Sequence, residues 1–108
     1  MREVTPQTLK KVTGAKQLAL VEFWAPWCGP CRMLEPVLTR LEKEFGGQIS
    51  FGRLNIDGSQ DFALENNIQS VPTMFLYVDG KPKEKITGYR ELEPFRKYLK
   101  QKISQYLD

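Results

Sequence analysis

The sequence predicts an α/β protein in which one mixed β-sheet lies between two layers of helices, a three-layer sandwich. Three observations lead to this prediction. Strands alternate with helical segments early in the chain, one strand is apolar on both of its faces, and a hairpin signal comes late. A length of 108 residues corresponds to one domain, so we expect a single domain over residues 1–108.

The first half of the chain predicts a helix, a buried strand and a second, longer helix. Thr5 can cap the first helix, and Gly14 ends it. Residues Leu18–Trp24 are too few for a typical helix and are apolar at nearly every position, which predicts a strand covered on both faces. Apolar residues then recur at helical spacing until the glycines at 46–47. They are Leu34, Val37, Leu38, Leu41 and Phe45.

The second half predicts three further strands and two helices. Residues 49–56 are expected to form a strand, and Ser59 can cap the short helix that follows. Thr73–Val78 is β-prone, and the Asp-Gly pair at 79–80 is a strong hairpin-turn signal. We therefore expect Lys81–Thr87 to return as the partner strand. The last helix has one apolar stripe, formed by Leu92, Phe95, Leu99, Ile103 and Tyr106.

The composition excludes several classes of function. Lys and Arg number 16 against 13 Asp and Glu, and a net charge of +3 is too small to indicate nucleic-acid binding. The chain has no His, which removes Ser-His-Asp and Cys-His catalysis and every His-ligated metal or haem site. Two cysteines cannot supply a four-thiolate site, so we expect no metal.

The N-terminus has no apolar signal-peptide core, and the longest apolar stretch, residues 18–27, is far too short to cross a membrane. Glu22 also interrupts that stretch. We therefore expect a cytoplasmic protein with no membrane contact.

The two cysteines lie three positions apart between the buried strand and the longer helix. Cys28 meets the unpaired N–H groups and the positive dipole end of that helix, which favour the reactive thiolate. We expect Cys28 at an exposed helix tip and Cys31 one turn deeper, placed to attack a mixed disulfide on Cys28. Gly29 lets another chain approach closely, and Pro30 stiffens the turn.

Two other interpretations of this pair remain open. The cysteines could be inert core residues, or they could form half of a zinc site that a dimer completes. Their position between strand and helix, with no other Cys or His in the chain, favours the redox interpretation.

Several motifs in order resemble the thioredoxin family over nearly the whole chain. The motifs are Trp24-Ala25-Pro26-Trp27-Cys28-Gly29-Pro30-Cys31, Pro36, Asn55-Ile56-Asp57, Val71-Pro72-Thr73, Asp79-Gly80 and Gly88. The resemblance implies a five-stranded mixed sheet flanked by four helices, with disulfide reductase activity on protein substrates. It also implies recycling by a separate thioredoxin reductase. No bound cofactor is expected because the cysteine pair carries the electrons, and we expect a monomer.

The resemblance also implies roles for individual residues. Cys28 attacks the target disulfide, Cys31 resolves the mixed disulfide, and the Val71–Pro72 bond is cis, although few X-Pro bonds are. We expect Trp27 to be a partly exposed contact residue and Trp24 to belong to the core. The predicted contact surface for substrates consists of Trp27, Gly29, Pro30, Val71, Pro72 and Gly88.

Two residues depart from the family pattern. Glu22 stands where the family usually has a buried Asp, and Arg53 stands where it usually has Lys. Burial in an apolar strand should raise the pKa of Glu22, which could then take a proton from Cys31 and return it. The alternative is an ion pair with Arg53 that keeps Glu22 charged.

Two rival functions remain. A protein of the same fold could make or isomerise disulfides, but such relatives usually have His between the cysteines, where this chain has Pro30. The fold could instead serve as a binding module in which the thiols are incidental.

Overall fold

A computed structural model describes residues 1–107, which form five strands and four helices. The strands are β1 (Arg2–Val4), β2 (Leu18–Trp24), β3 (Ile49–Asn55), β4 (Thr73–Val78) and β5 (Lys81–Thr87). The helices are α1 (Lys10–Thr13), α2 (Gly29–Phe45), α3 (Gln60–Glu65) and α4 (Leu92–Leu107). No helix in this part of the chain is long and apolar enough to cross a membrane.

The strands form one mixed sheet in the order β1-β3-β2-β4-β5. The pairs β1–β3 and β3–β2 are parallel, whereas β2–β4 and β4–β5 are antiparallel. The register places Glu22 of β2 beside Arg53 of β3, and Arg53 beside Glu3 of β1. One row across the sheet therefore carries three charged side chains on the same face, because aligned residues in neighbouring strands point the same way.

Helices cover both faces of the sheet, as the sequence predicts. On one face, leucines of α2 and the buried Phe95 and Leu99 of α4 pack on Leu18 and Leu20 of β2. On the other face, Val12 of α1 and Ala63 of α3 pack against another buried cluster, which includes Ala19, Val21, Phe23, Phe75 and Tyr77. Glu22 continues the alternation of Leu18 and Leu20, so its side chain points to the face that α2 covers.

Most predicted elements are confirmed, and the differences are at the N-terminal end. Strand β1 was not predicted from its residues, because a three-residue edge strand with two exposed polar positions has no clear pattern. Helix α1 is only four residues long. The stretch between Thr5 and Lys10 is instead a turn, in which Thr8 N donates to Thr5 O at 3.0 Å.

The hairpin prediction is confirmed in its backbone geometry. Asp79 and Gly80 have φ values of +53° and +81°, as a turn with two left-handed central residues requires. Ser59 begins α3 as expected, although its side chain makes no capping hydrogen bond.

Candidate active site

Cys28 and Cys31 form a disulfide at the start of α2, with their Cα atoms 5.3 Å apart. Cys28 is the N-cap of the helix, with extended backbone, and its Sγ accepts a hydrogen bond from the Cys31 N–H at 3.1 Å. Pro30 follows in the first turn, where its missing N–H leaves no helical hydrogen bond unmade. The first turn of α2 therefore directs an N–H group at the sulfur of Cys28 and not at that of Cys31.

The predicted exposure of Cys28 is wrong for the disulfide form. Cys28 is 3% exposed and Cys31 is 1% exposed, and both are buried with Ala25. Trp24 and Val71 pack against this cluster. The two cysteines therefore differ in hydrogen bonding and position along the helix and not in exposure.

The two tryptophans beside the cysteines have different environments. Trp27 is 67% exposed, as predicted for a contact residue, and its Nε1 donates to Asp57 Oδ1 at 3.0 Å. Trp24 was expected in the core but is only partly buried. Its Nε1 donates to Glu3 Oε2 at 3.0 Å, and its ring lies under the guanidinium of Arg53. The indole N–H needs a polar partner, which keeps Trp24 at the edge of the core.

The loop before β4 has the predicted cis bond between Val71 and Pro72. Gly88 N donates to Pro72 O at 2.8 Å, which ties the end of β5 to this loop. Gly88 has a φ of +83°, a left-handed value that favours glycine. The partly buried Val71 packs on the cysteine cluster, so the loop lies directly against the disulfide.

The predicted contact surface has an exposed part and a covered part. Trp27, Gly29 and Pro30 are exposed, Val71 and Gly88 are partly buried, and Pro72 is buried. A Cβ atom added to Gly29 would meet nothing within 4 Å, so no contact inside the chain requires glycine there. Binding of substrates by these six residues stays a prediction.

Glu22 is buried as predicted, with an exposed fraction of 1%. Burial raises its pKa from 4.5 to about 7; Arg53 opposes this shift, and the carboxylates of Glu35 and Glu3 add to it. Neither carboxylate oxygen of Glu22 has a hydrogen-bond partner within residues 1–107. Transfer of a proton between Glu22 and Cys31 stays a prediction.

The alternative ion pair with Arg53 is also present, but it is long. Arg53 Nε lies 3.6 Å from Glu22 Oε1, and this Nε makes no hydrogen bond within the described residues. The same guanidinium faces two carboxylates that sequence reasoning missed: its Nη1 lies 3.7 Å from Glu35 Oε1 and 3.8 Å from Glu3 Oε1. No sequence signal distinguishes Glu3 and Glu35 from the other glutamates. Only the sheet register and the path of α2 bring them to Arg53.

Groups of three or more His, Cys, Asp or Glu side chains arranged to hold a metal ion do not occur within residues 1–107.

Comparison with known proteins identifies the family. The Thioredoxin family model matches residues 2–101. The chain is 46% identical over 77 residues to "Thioredoxin M5, chloroplastic" of Oryza sativa subsp. japonica, covering 71% of this chain and 45% of that protein. It is 42% identical over 89 residues to "Thioredoxin M4, chloroplastic" of Arabidopsis thaliana, covering 82% and 46%.

A bacterial relative aligns over more of its own length. The chain is 36% identical over 80 residues to the thioredoxin of Staphylococcus aureus, covering 74% of this chain and 77% of that protein. By contrast, the chain spans about half the length of the two chloroplast relatives. The family match, the mixed sheet and the disulfide at the start of α2 agree, and this chain belongs to the thioredoxin family.

Proposed function

We propose that this chain is a thiol-disulfide oxidoreductase that reduces disulfides in protein substrates. The observation that carries the proposal is the Cys28–Cys31 disulfide at the N-terminus of α2, with the Cys31 N–H directed at the sulfur of Cys28. In the reduced protein the same N–H and the helix dipole would stabilise a thiolate at Cys28, the species that attacks disulfides.

Reduction proceeds in two exchange steps. The Cys28 thiolate attacks one sulfur of the substrate disulfide, forms a Cys28–substrate S–S bond and releases the first substrate thiolate. Cys31 then loses its proton, and its thiolate attacks the sulfur of Cys28. The Cys28–Cys31 bond forms and the second substrate thiolate leaves. Both substrate thiolates take protons from solvent, and two electrons have passed from the cysteine pair to the substrate.

Glu22 is the proposed acceptor of the Cys31 proton. Its pKa of about 7 means that the carboxyl group can both take and return a proton near neutral pH. A carboxyl group with an ordinary pKa would hold the proton too weakly. The proton returns to Cys31 when a separate thioredoxin reductase supplies two electrons to the disulfide.

Substrates would bind as extended segments over the exposed Trp27 and Gly29 and along the backbone of Val71. The open space over Gly29 and the contact of Val71 with the cysteine cluster support this placement. Because the cysteine pair carries the electrons, the proposal includes no bound cofactor, and it includes no metal, nucleic acid or membrane. We propose a monomer in the cytoplasm; the two relatives named chloroplastic make the chloroplast the alternative location.

A titration in glutathione buffers with thiol trapping tests the proposed activity. We expect Cys28 and Cys31 to behave as one two-electron couple, on the reducing side of the cytosolic glutathione poise. A couple far more oxidising than that poise would support the disulfide-forming rival instead.

Single cysteine variants test the two roles. Cys31→Ser should accumulate mixed disulfides with target proteins through Cys28, whereas Cys28→Ser should not. Equal trapping by the two variants would contradict the assignment. Full rescue of the cellular role by the double Ser variant would favour the binding module.

A further inference from the structure

The guanidinium of Arg53 lies near three carboxyl groups on the face of the sheet that α2 covers. Arg53 lies 3.6 Å from Glu22, 3.7 Å from Glu35 and 3.8 Å from Glu3, and all three distances exceed ordinary hydrogen-bond length. The guanidinium carbon also lies 3.9 Å from the centre of the Trp24 ring, a cation–π contact. Arg53 therefore lies between the three carboxyl groups and is within ordinary hydrogen-bond distance of none of them.

The charges in this cluster do not balance. Three ionised glutamates and one arginine would leave two negative charges in excess, in a region where Arg53 is only 15% exposed. A proton on one carboxyl group removes one of them. Protonation is most favourable at Glu22, because its side chain is fully buried whereas those of Glu3 and Glu35 are 53% and 51% exposed.

The groups around Glu22 come from four elements. Arg53 on β3 is the one cation close to it among the described residues, and Glu35 on α2 and Glu3 on β1 are negative when ionised. Its neighbour on β4 is the uncharged Met74. Helix α2 also carries the cysteine pair at its start.

We propose that Glu35 is a positioning residue for the proton step: by sharing Arg53 with Glu22, it keeps the buried carboxyl group able to hold a proton at neutral pH. This inference rests on the proposed oxidoreductase function. If Glu35 were absent, Arg53 would be free to move toward Glu22, and a nearby negative charge would also be gone. Both changes would favour the ionised form of Glu22.

Glu35 is a cleaner subject for this test than Glu3. Glu3 also accepts a hydrogen bond from Trp24, so its loss would disturb the ring that supports Arg53. Glu35 lies half-exposed on α2, four positions after Cys31, and its contact in the cluster is with Arg53. A Glu35→Gln variant keeps the shape of the side chain and removes only its charge.

The direct test is a carboxyl-carbon NMR titration of Glu22 in the oxidised protein. We expect Glu35→Gln to lower the titration midpoint of Glu22 by about half a pH unit or more. Glu65→Gln, a change of the same charge at an exposed position of α3, is the matched control and should leave the midpoint in place. Glu35→Asp keeps the charge. Its Glu22 midpoint should therefore lie at least halfway back from the value in Glu35→Gln to that of the wild type.

An unchanged midpoint in Glu35→Gln, or an equal shift in Glu65→Gln, would overturn the proposal. The second readout is the pH profile of insulin reduction, which should move to lower pH in Glu35→Gln alone. A shifted Glu22 midpoint with an unmoved profile would overturn the link to the proton step. The NMR result does not depend on activity, so failure of the proposed function, seen as no insulin reduction by the wild type, remains distinguishable.

Discussion

The molecule contains two arginine–glutamate clusters with opposite construction. At Arg96, between α4 and α2, Nε and Nη2 donate to the two oxygens of Glu44, both at 2.6 Å, and Nη1 donates to Glu93. At Arg53, three carboxyl groups lie 3.6 to 3.8 Å away and Nε makes no hydrogen bond within residues 1–107. The first cluster has bidentate geometry, and the second does not.

The two clusters shift the pKa values of their carboxyl groups in opposite directions. Hydrogen bonds from Arg96 hold the pKa of Glu44 and Glu93 below the ordinary value of a glutamate. Burial raises the pKa of Glu22 to about 7 despite the nearby Arg53. A fully formed arginine–carboxylate pair keeps the carboxylate charged, whereas a shared and distant arginine leaves a buried carboxyl group able to bind a proton.

The two clusters therefore act on stability with opposite pH dependence. Glu44 and Glu93 have lowered pKa values, so their contribution is present above the unfolded pKa and is lost as pH falls through the folded value. Glu22 has a raised pKa, so the folded state holds an extra proton between pH 4.5 and about 7. Its effect is to reduce stability as pH rises through that window.

The largest expected effect is a gain in stability from Glu22→Gln. The amide cannot ionise, so the variant avoids the cost of a buried charge, which is about 3 kcal/mol at pH 8 for this shift in pKa. Arg53 keeps Glu3 and Glu35 as partners and is not left unpaired. Denaturant unfolding of the oxidised protein at several pH values should show the gain growing from pH 4.5 to about 7.

The contrary outcome would make Glu22 a structural ion-pair residue. A variant less stable than the wild type at pH 8 would mean that Arg53 depends on Glu22 more than on the other two carboxylates. In either case, the difference in unfolding free energy between Glu22→Gln and the wild type should vanish near pH 4, where Glu22 is protonated.

A smaller effect is expected on the rate of disulfide exchange. Glu22→Gln should reduce insulin disulfides about 100-fold more slowly near pH 7, because Cys31 loses its proton acceptor. The rise in the reduction rate with increasing pH near the pKa of Glu22 should also disappear in this variant. Glu44→Gln removes a carboxylate from the Arg96 cluster and serves as the control. Equal slowing by both variants would remove any special role for Glu22.

The sequence predicts the parts of the fold that local signals determine. The strand Leu18–Trp24 follows from its continuous apolar character, and the hairpin turn follows from the Asp-Gly pair at 79–80. Strand β1 has no such signal, since three residues at the edge of a sheet owe their conformation to pairing with β3. Local patterns therefore predicted four of the five strands directly.

The candidate site, like the fold, was predicted only in part. The spacing of the cysteines and the apolar strand predicted the cysteine pair and the burial of Glu22. The resemblance to the thioredoxin family pointed to Arg53 as the possible partner of Glu22. The sequence did not predict Glu3 and Glu35 at Arg53, which depends on sheet register and on the path of α2. The low exposure of Cys28 was missed for the same reason, since it depends on packing with segments such as the loop that carries Val71.

Breaking the geometry of the Arg96 cluster should have a modest effect. Arg96→Lys keeps the charge but loses the fork that bonds both oxygens of Glu44, so the melting temperature should fall by about 2–4 °C. The loss should be smaller in high salt, because Glu44 and Glu93 are 30% and 77% exposed and salt screens their attraction to Arg96. Insulin reduction should be unaffected. A melting temperature equal to the wild type would show that the bidentate bonds add nothing to the link between α2 and α4.

The smallest effect is expected from the same substitution at the other arginine. Arg53 Nε makes no hydrogen bond in the described chain and its ion pairs are long, so the fold uses its positive charge and its stacking on Trp24. Lysine supplies a charge that can also lie over an aromatic ring. Because long ion pairs contribute little, Arg53→Lys should change the free energy of unfolding by less than about 0.5 kcal/mol at neutral pH. A fall larger than that of Arg96→Lys, measured side by side in denaturant, would mean that the fork of Arg53 is engaged in solution. The contrast between a bidentate and a shared arginine would then be wrong.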